Sequence, residues 1–300
     1  MHTLSIFFTV VRLPVVQSAQ EARFLSCCTK TVPNMEVEYT ADTPSQVKEP
    51  KHALQLLTEN TTNGKKVQIL LEELRDIYDI SWATHLIDLE TDEQKRSWFL
   101  RLNPNGTVLK TNSYRRIPVL LDVTDDGSVI SVFESSAILT YLHENHDPRN
   151  VFGFESASER SQALQWLFFW HSSGPVQGHT RHFMKGAPEP VPYAAEYFQK
   201  AMLRIYGVLE GHLSGQHSGH PRQYLAGRGE GKYSIADMGT WPHVRAYRSL
   251  GFSEESDMRP RFPHLLQWID RIAARPAVQR GIDASKYDSE ENPGLRVRAD

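Results

Sequence analysis

"RRIPVLLDVTDDGSVISVFESSAILTYLHEN", Arg115 to Asn145, holds two short apolar runs, a turn and the opening of a helix. "RIPVLLD" (116–122) and "SVISVF" (128–133) have the β-branched, leucine-rich character of strands, and the "TDDG" between them is turn chemistry. "ESSAILTYLHEN" (134–145) then switches to helical spacing. The Ile117-Pro118 pair at the mouth of the first strand is unusual, because proline gives a β-ladder no donor. It suits an edge position or a cis bond in a tight turn. Backbone open at Ile117 could pair with an extended, peptide-like ligand, although an ordinary strand start also accounts for it.

Working upstream, "HALQLL" (52–57) and the alternating "SWATHLIDL" (81–89) are further strand candidates. Between them Val67, Leu70, Leu71, Leu74 and Ile77 fall at helical spacing, which predicts an amphipathic helix over 65–77. "DEQKRSWFLRL" (92–102) predicts a second, short one. The order β-α-β-α-β-β-α describes a small α/β sandwich spanning 52–146. After "HDPRNVFGFES" strand signals vanish, and long helical stretches follow at about 156–184, 193–214, 234–250 and 262–274. Leu164, Leu167, Phe168 and His171 mark one face of the first. The expectation is therefore α/β plus all-α: an α/β domain, a linker near 146–154, and an all-helical domain over 155–285. Residues 1–51 read as tail, and 286–300 as a loose, charged tail.

The 300 residues carry 33 basic and 36 acidic side chains, a net charge of −3. That balance, with the basic residues scattered, argues against nucleic acid or an anionic membrane as partner. Only Cys27 and Cys28 occur, so the body of the chain has no disulfide framework, no cysteine-based metal site and no cysteine nucleophile. "LSIFFTVVRLPVV" (4–16) is apolar but too short, and broken by Arg12, for a membrane span. The first 34 residues read as a disordered tail or as an over-long start with Met35 as the true beginning. Organelle targeting is the other reading. The histidines, including the His212/His217/His220 loop, lack the cysteine or paired carboxylates of a metal site, so no metal is expected.

"TENTTNGKKVQILLEEL" (Thr58–Leu74) is the stretch closest to chemistry. Asn63 stands where a helix N-cap belongs, and Gly64 allows a ligand close to the backbone. A helix start presents free N–H groups and the positive end of the macrodipole, which attract anions such as a thiolate. A free thiol titrates near ~8.5, and lowering that by about two units takes roughly 2.7 kcal/mol of preferential stabilisation. Thr61, Thr62 and Asn63 are the donors on offer. "FESSAIL" offers a second helix start, where Ser135 or Ser136 can cap and free amides can hold a carboxylate, with Glu134 able to take an ammonium. Plain capping is the stronger reading of each helix start when it is taken alone. Ser234 and Asp237 in "YSIADM" form a capping box, a folding signal. Trp166, Phe169, Trp170 and His171 in "QWLFFWHSSG" are candidates for an apolar co-substrate wall, although most of such an aromatic stripe is usually core.

"TTNGKKVQILLEEL", "FLRLNPNG", "RRIPVLLD", "FESSAILTYL" and "YLAGRGEGKYSIADM" together resemble the glutathione S-transferases over about residues 52–280. The branch they are most similar to is the fungal group related to the yeast nitrogen-regulator prion protein and the bacterial nu-class enzymes. The resemblance implies a thioredoxin-like first domain followed by an all-helical domain, with Pro118 cis. It implies glutathione as co-substrate, its cysteinyl part on the Ile117 backbone, its γ-glutamyl end at Glu134 and Ser135, and its sulfur at Thr61 and Asn63. Gln94 matches a position that contacts the tripeptide in nu-class relatives, and Arg116 a basic residue for the glycyl carboxylate. The segment "TVLKTNSYR" (107–115) interrupts the family's Asn-Pro-Asn-Gly-Arg-Ile-Pro run and would act as lid or obstruction. On this reading the protein is a cytoplasmic, homodimeric glutathione S-transferase acting on a small hydrophobic electrophile, in detoxification or secondary metabolism. A glutathione-dependent disulfide reductase or isomerase, and a non-catalytic regulatory protein on the same fold, are the alternatives.

Overall fold

Val47, in the four-residue helix α1 (Ser45–Lys48), is fully buried beside Trp98, Phe99 and Val119. The computed structural model describes residues 37, 39–105 and 117–296. The readings placed on the first 34 residues, on Arg116 and on 107–115 lie outside these. The tail expected to run to residue 51 gives way where Val47 anchors the chain in the sheet's outer core, with Val37 and Tyr39 packed against the same cluster.

The four apolar runs become one sheet of β1 (Leu54–Thr58), β2 (Trp82–Leu86), β3 (Val119–Val123) and β4 (Val129–Phe133), in the order β2-β1-β3-β4. β1 runs parallel to β2 and antiparallel to β3, and β3 antiparallel to β4. Central β1 is buried at all five positions, as a leucine-rich strand covered on both faces must be. The register pairs Thr58 with Leu86, Leu57 with Val119 and Val119 with Phe133. The exits of β1, β2 and β4 and the entrance of β3 therefore share one end of the sheet. The Ile117-Pro118 bond there is cis.

Helix α2 (Thr62–Tyr78) crosses from β1 to β2, α3 (Ser97–Leu102) leads toward β3, and α4 (Ser135–His146) follows β4. The helical layer comprises α5 (Ala157–Arg181), α6 (Pro192–Leu213), α7 (Ile235–Val244), α8 (Pro263–Ala273) and α9 (Pro276–Ile282). One buried core runs from Leu56, Val67 and Leu120 through Leu167 and Trp170 to Trp241 and Trp268, and the described residues form one compact unit. The segment expected as a linker is tied down: Asp147 accepts hydrogen bonds from the amides of Val151 and Phe152 and from Tyr78. Burial alone would raise the Asp147 carboxyl, but these bonds and one from His143 hold it at about 2.

The capping box forms as expected. The Ser234 amide donates to Asp237 at 3.1 Å, and Asp237 also accepts from the Leu225 amide at 3.0 Å and Trp268 Nε1 at 2.9 Å. Burial pushes this carboxyl up to about 6 although its donors pull the other way. The C-terminal stretch is not loose over 286–296. Tyr287 is buried, Arg296 bridges to Leu86 beside the β2 edge, and its guanidinium meets Glu59 at 3.2 Å.

Candidate functional site

At the shared end of the sheet, the chain leaving β1 turns through Glu59 and Asn60 into α2. Thr61 is extended (φ −122°, ψ 159°), and its hydroxyl accepts the Gly64 amide at 3.1 Å. Thr61, not Asn63, is thus the N-cap: its short β-branched side chain reaches the third helical amide, while Asn63 sits inside the first turn. The first intrahelical bond is Lys65 N–H to the Thr61 carbonyl at 3.0 Å, so the amides of Thr62 and Asn63 precede the ladder and aim out of the helix start. Gly64 is needed for a reason other than ligand approach. A Cβ there would lie 2.2 Å from Thr58 Oγ1 and 2.7 Å from the Glu59 carbonyl, so its bareness lets the loop fold against β1's own end.

The second helix start stands beside the first. Glu134 holds φ +71°, ψ 118°, a conformation costly for a side-chain-bearing residue. Its carboxylate accepts from Asn105 Nδ2 at 2.9 Å and lies 4.0 Å from His171 Nε2. Ser135 Oγ donates to Asn63 Oδ1 at 3.4 Å, which joins the two starts directly. Under them lies Lys66, 3% exposed, whose Nζ donates to Ser135 Oγ at 3.4 Å. Burial lowers its pKa to about 7, with the charge of Glu134 working against the fall. From the helical layer, buried His243 pairs its Nε2 with Thr62 Oγ1 at 3.1 Å. Burial first, and the Lys66 charge second, depress His243 strongly, so it is a neutral ring at this corner.

The structure thus gathers Thr61, Asn63, Glu134, Ser135 and His171, with Ile117 placed at the same end by the register. Gln94 is on the turn Glu93–Lys95 after β2, 4% exposed and donating to Asp92 at 3.2 Å. Among the described residues no hydrogen bond links it to the Asn63–Ser135 pair. Two wall candidates are corrected. Trp170 is 1% exposed and belongs to the core, because the buried stripe of α5 runs through Ala163, Leu167, Trp170, Ser173 and Gln177. Trp166 turns toward α6, its ring 4.3 Å from that of His212, and lines a separate depression of about 380 Å³. The exposed neighbour of His171 is Phe168, 61% exposed and 6.4 Å away ring to ring; of the four residues read as one face, Leu167 alone is buried.

Lys66 and His243 were not singled out from sequence. A lysine in the second turn of a helix reads as solvated, and "WPHV" carries no signal that its ring will meet a threonine 181 residues earlier. Among the described residues no group of three or more histidine, cysteine or acidic side chains is placed to hold a metal. No helix among them is long and apolar enough to cross a membrane. The arrangement is a concentration of N–H and O–H donors, with one buried lysine amine beneath them, at two adjoining helix starts. Chemically it favours a bound anion and stabilises negative charge near Asn63.

Two family descriptions match this chain: glutathione S-transferase, N-terminal domain, over residues 63–145, and glutathione S-transferase, C-terminal domain, over 181–280. The disulfide-bond oxidoreductase YfcG of Escherichia coli strain K12 is 33% identical over 236 residues, 77% of this chain and 95% of that protein. Among solved structures, Ure2p in complex with glutathione superposes with a TM-score of 0.67 at 27% identity, covering 79% of this chain and 97% of its own. A glutathione transferase from Pseudomonas putida, with one glutathione disulfide bound per subunit, gives 0.66 at 29% identity, covering 82% and 99%.

Proposed function

Since this chain belongs to the glutathione S-transferase family, we propose that it binds glutathione at the shared sheet end and joins the tripeptide, through its sulfur, to a small electrophile. The observation that carries the reading is the junction of two helix starts through the Ser135–Asn63 hydrogen bond, at the end of the sheet where the cis Ile117-Pro118 bond also lies. The extended cysteinyl backbone would run past Ile117. The γ-glutamyl carboxylate would meet the first-turn amides of α4, and Glu134 would take its ammonium. The sulfur would then face Thr61 and Asn63. The Thr61 hydroxyl spends a lone pair on the Gly64 amide, which leaves its hydrogen for an acceptor.

In the reaction the thiolate attacks the electrophile, a carbon–sulfur bond forms, and the leaving group departs with the electron pair of the broken bond. The thiol proton goes to solvent. The protein contributes charge stabilisation and placement, and none of its own atoms is covalently changed. His171 and Phe168 line the side from which an apolar acceptor would approach. A homodimer belongs to this reading, supported by apolar side chains left exposed on β4 (Ile130, Phe133) and α5 (Leu164).

Reduction of a glutathione mixed disulfide at the same turn is the second reading. It is favoured by the likeness to a disulfide-bond oxidoreductase and to a transferase with bound glutathione disulfide. Purified protein applied to immobilised glutathione and assayed with a chlorodinitrobenzene-type electrophile and with a hydroxyethyl disulfide tests both. Retention with conjugation supports transfer, retention with disulfide turnover alone supports reduction, and flow-through with neither activity removes both.

A further inference from the structure

Lys66 has an unusual position for a lysine. Its side chain is 3% exposed, inside the second turn of α2, and carries three hydrogen-bond donors. Its one partner among the described residues is Ser135 Oγ, at 3.4 Å. Ser135 in turn reaches Asn63 Oδ1, also at 3.4 Å. Asn63 is only half-buried, and its Nδ2 donates to none of the described residues. A hydroxyl has one hydrogen, and an ammonium has no lone pair. With Lys66 protonated, its N–H must donate to Ser135, so Ser135's single hydrogen goes to Asn63. That fixes the Asn63 amide with its oxygen inward and its two N–H bonds outward. Were the lysine absent, Ser135 could accept from Asn63 Nδ2, and the amide could turn its oxygen toward the opening, where it would repel a thiolate.

We propose that Lys66 is a positioning residue for the sulfur: through Ser135 it fixes the direction of the Asn63 amide, so that N–H and not C=O faces the thiolate. The inference rests on the glutathione reading and adds to it the group that sets the polarity of the sulfur site. Two neighbours govern the ammonium. Glu134, at the start of α4, favours its charge, and His243, from α7, stays neutral beside it. The thiolate and carboxylates of a bound tripeptide add further negative charge at this corner, which favours the protonated form on binding.

Lys66→Met keeps the length of the side chain and removes donor and charge. Two ligands separate the roles: glutathione, whose thiol ionisation is read from thiolate ultraviolet absorbance at saturation, and S-methylglutathione, which has no thiol proton. The expected result in Lys66→Met is a rise of about one unit in the bound thiol's pKa, roughly tenfold less thiolate at a given pH. S-methylglutathione affinity should stay within about threefold of wild type, and Lys66→Arg should restore the low pKa. Ser135→Ala breaks the same relay from its other end and should give the same rise at saturating glutathione, whether or not the buried lysine tolerates replacement. An unchanged thiol pKa in Lys66→Met or Ser135→Ala overturns the inference. So does a parallel loss of affinity for both ligands in Lys66→Met, which would make the lysine a holder of the tripeptide's body. Wild-type protein that binds neither ligand overturns the glutathione reading and this inference with it, whereas wild-type binding with unmoved thiol pKa overturns this inference alone.

Discussion

At the residue scale, the sulfur turn can be taken apart one group at a time. Thr61→Ala deletes the cap on α2 and should cost about 1 kcal/mol of stability, read from chemical denaturation, together with a drop in turnover. Asn63→Ala removes a donor but not the cap, so its stability should hold while turnover falls by about a hundredfold, the scale for losing one donor to a developing or resident anion. Turnover that survives Asn63→Ala would take the residue out of the mechanism. Lys66 adds a pH signature in the ligand-free protein. Its folded pKa is about 7 against an unfolded value near ~10.4, so between those limits the unfolded chain holds more protons than the native one. Stability contributed at this site should therefore climb from pH 7 toward pH 10, and Lys66→Met should flatten that climb in melting curves. From sequence, the donor types at Thr61 and Asn63 were legible, because few residues cap helices or offer amides to anions. The division of labour between them was not, since it depends on whether the helix begins one residue earlier or later. Gly64 was noticed for its permissiveness, but what fills the space it leaves is a strand end folded back from Thr58, invisible without coordinates.

Among the elements, α2 shows where periodicity misleads. Val67, Leu70, Leu71 and Leu74 were read as one apolar face with a solvated face opposite. Yet Lys66, Gln68, Glu72 and Glu73 are buried as well. α9 and the residues after it cover that polar side. Arg275 grips Glu73 with two bonds of 2.6 and 2.8 Å, while Arg280, Arg75 and Lys286 surround Glu72, which is fully buried. Helices meeting so closely need a small residue at the crossing, and a Cβ on Gly281 would stand 2.9 Å from Ile69 Cα. Gly281→Val should thus push α9 off α2 and lower the melting temperature, while Gly294→Val, where a Cβ meets nothing within 4 Å, should not. Arg275 is one-third exposed but Glu73 is buried, so Arg275→Met leaves a buried carboxylate short of donors and should cost about 1–3 kcal/mol. Double replacement with Glu73→Leu should recover part of that loss. A sequence reader sees the acidic run "EELRD" and the basic residues near 275–286 but has no means of matching them across 200 positions. The β-α-β-α-β-β-α order over 52–146, by contrast, is legible because each element announces itself within a dozen residues, whereas the short helices Ser45–Lys48 and Pro276–Ile282 give no such signal.

On the scale of the whole molecule, the two-layer division was legible from the disappearance of strand signals after residue 146. The extent of the joint was not. The core is continuous from Leu56 to Trp268, and His243 touches the start of α2 at Thr62 from the far layer. The ends were misread for the same reason: "SQVK" and "KYDSEENPGLR" are polar, and a single anchored side chain in each, Val47 and Tyr287, is too faint a pattern to register. Arg296, paired with Glu59 in the loop before α2, makes the C-terminal stretch a brace for that loop. Arg296→Ala should weaken glutathione retention modestly, by about two- to fivefold on the scale of a partly exposed ion pair, leaving the melting temperature unchanged. Titration calorimetry beside thermal melting separates the two effects. The shared end of the sheet has one more consequence. Its pieces come from residues near 60, 87, 118 and 134, scattered along the polypeptide and adjacent only after all four strands have paired. Occupancy there is then linked to global rather than local opening, so the transition midpoint should climb with the logarithm of free tripeptide concentration, as one cooperative step rather than two. A small metabolite would in this way gauge how much of the cellular pool is intact.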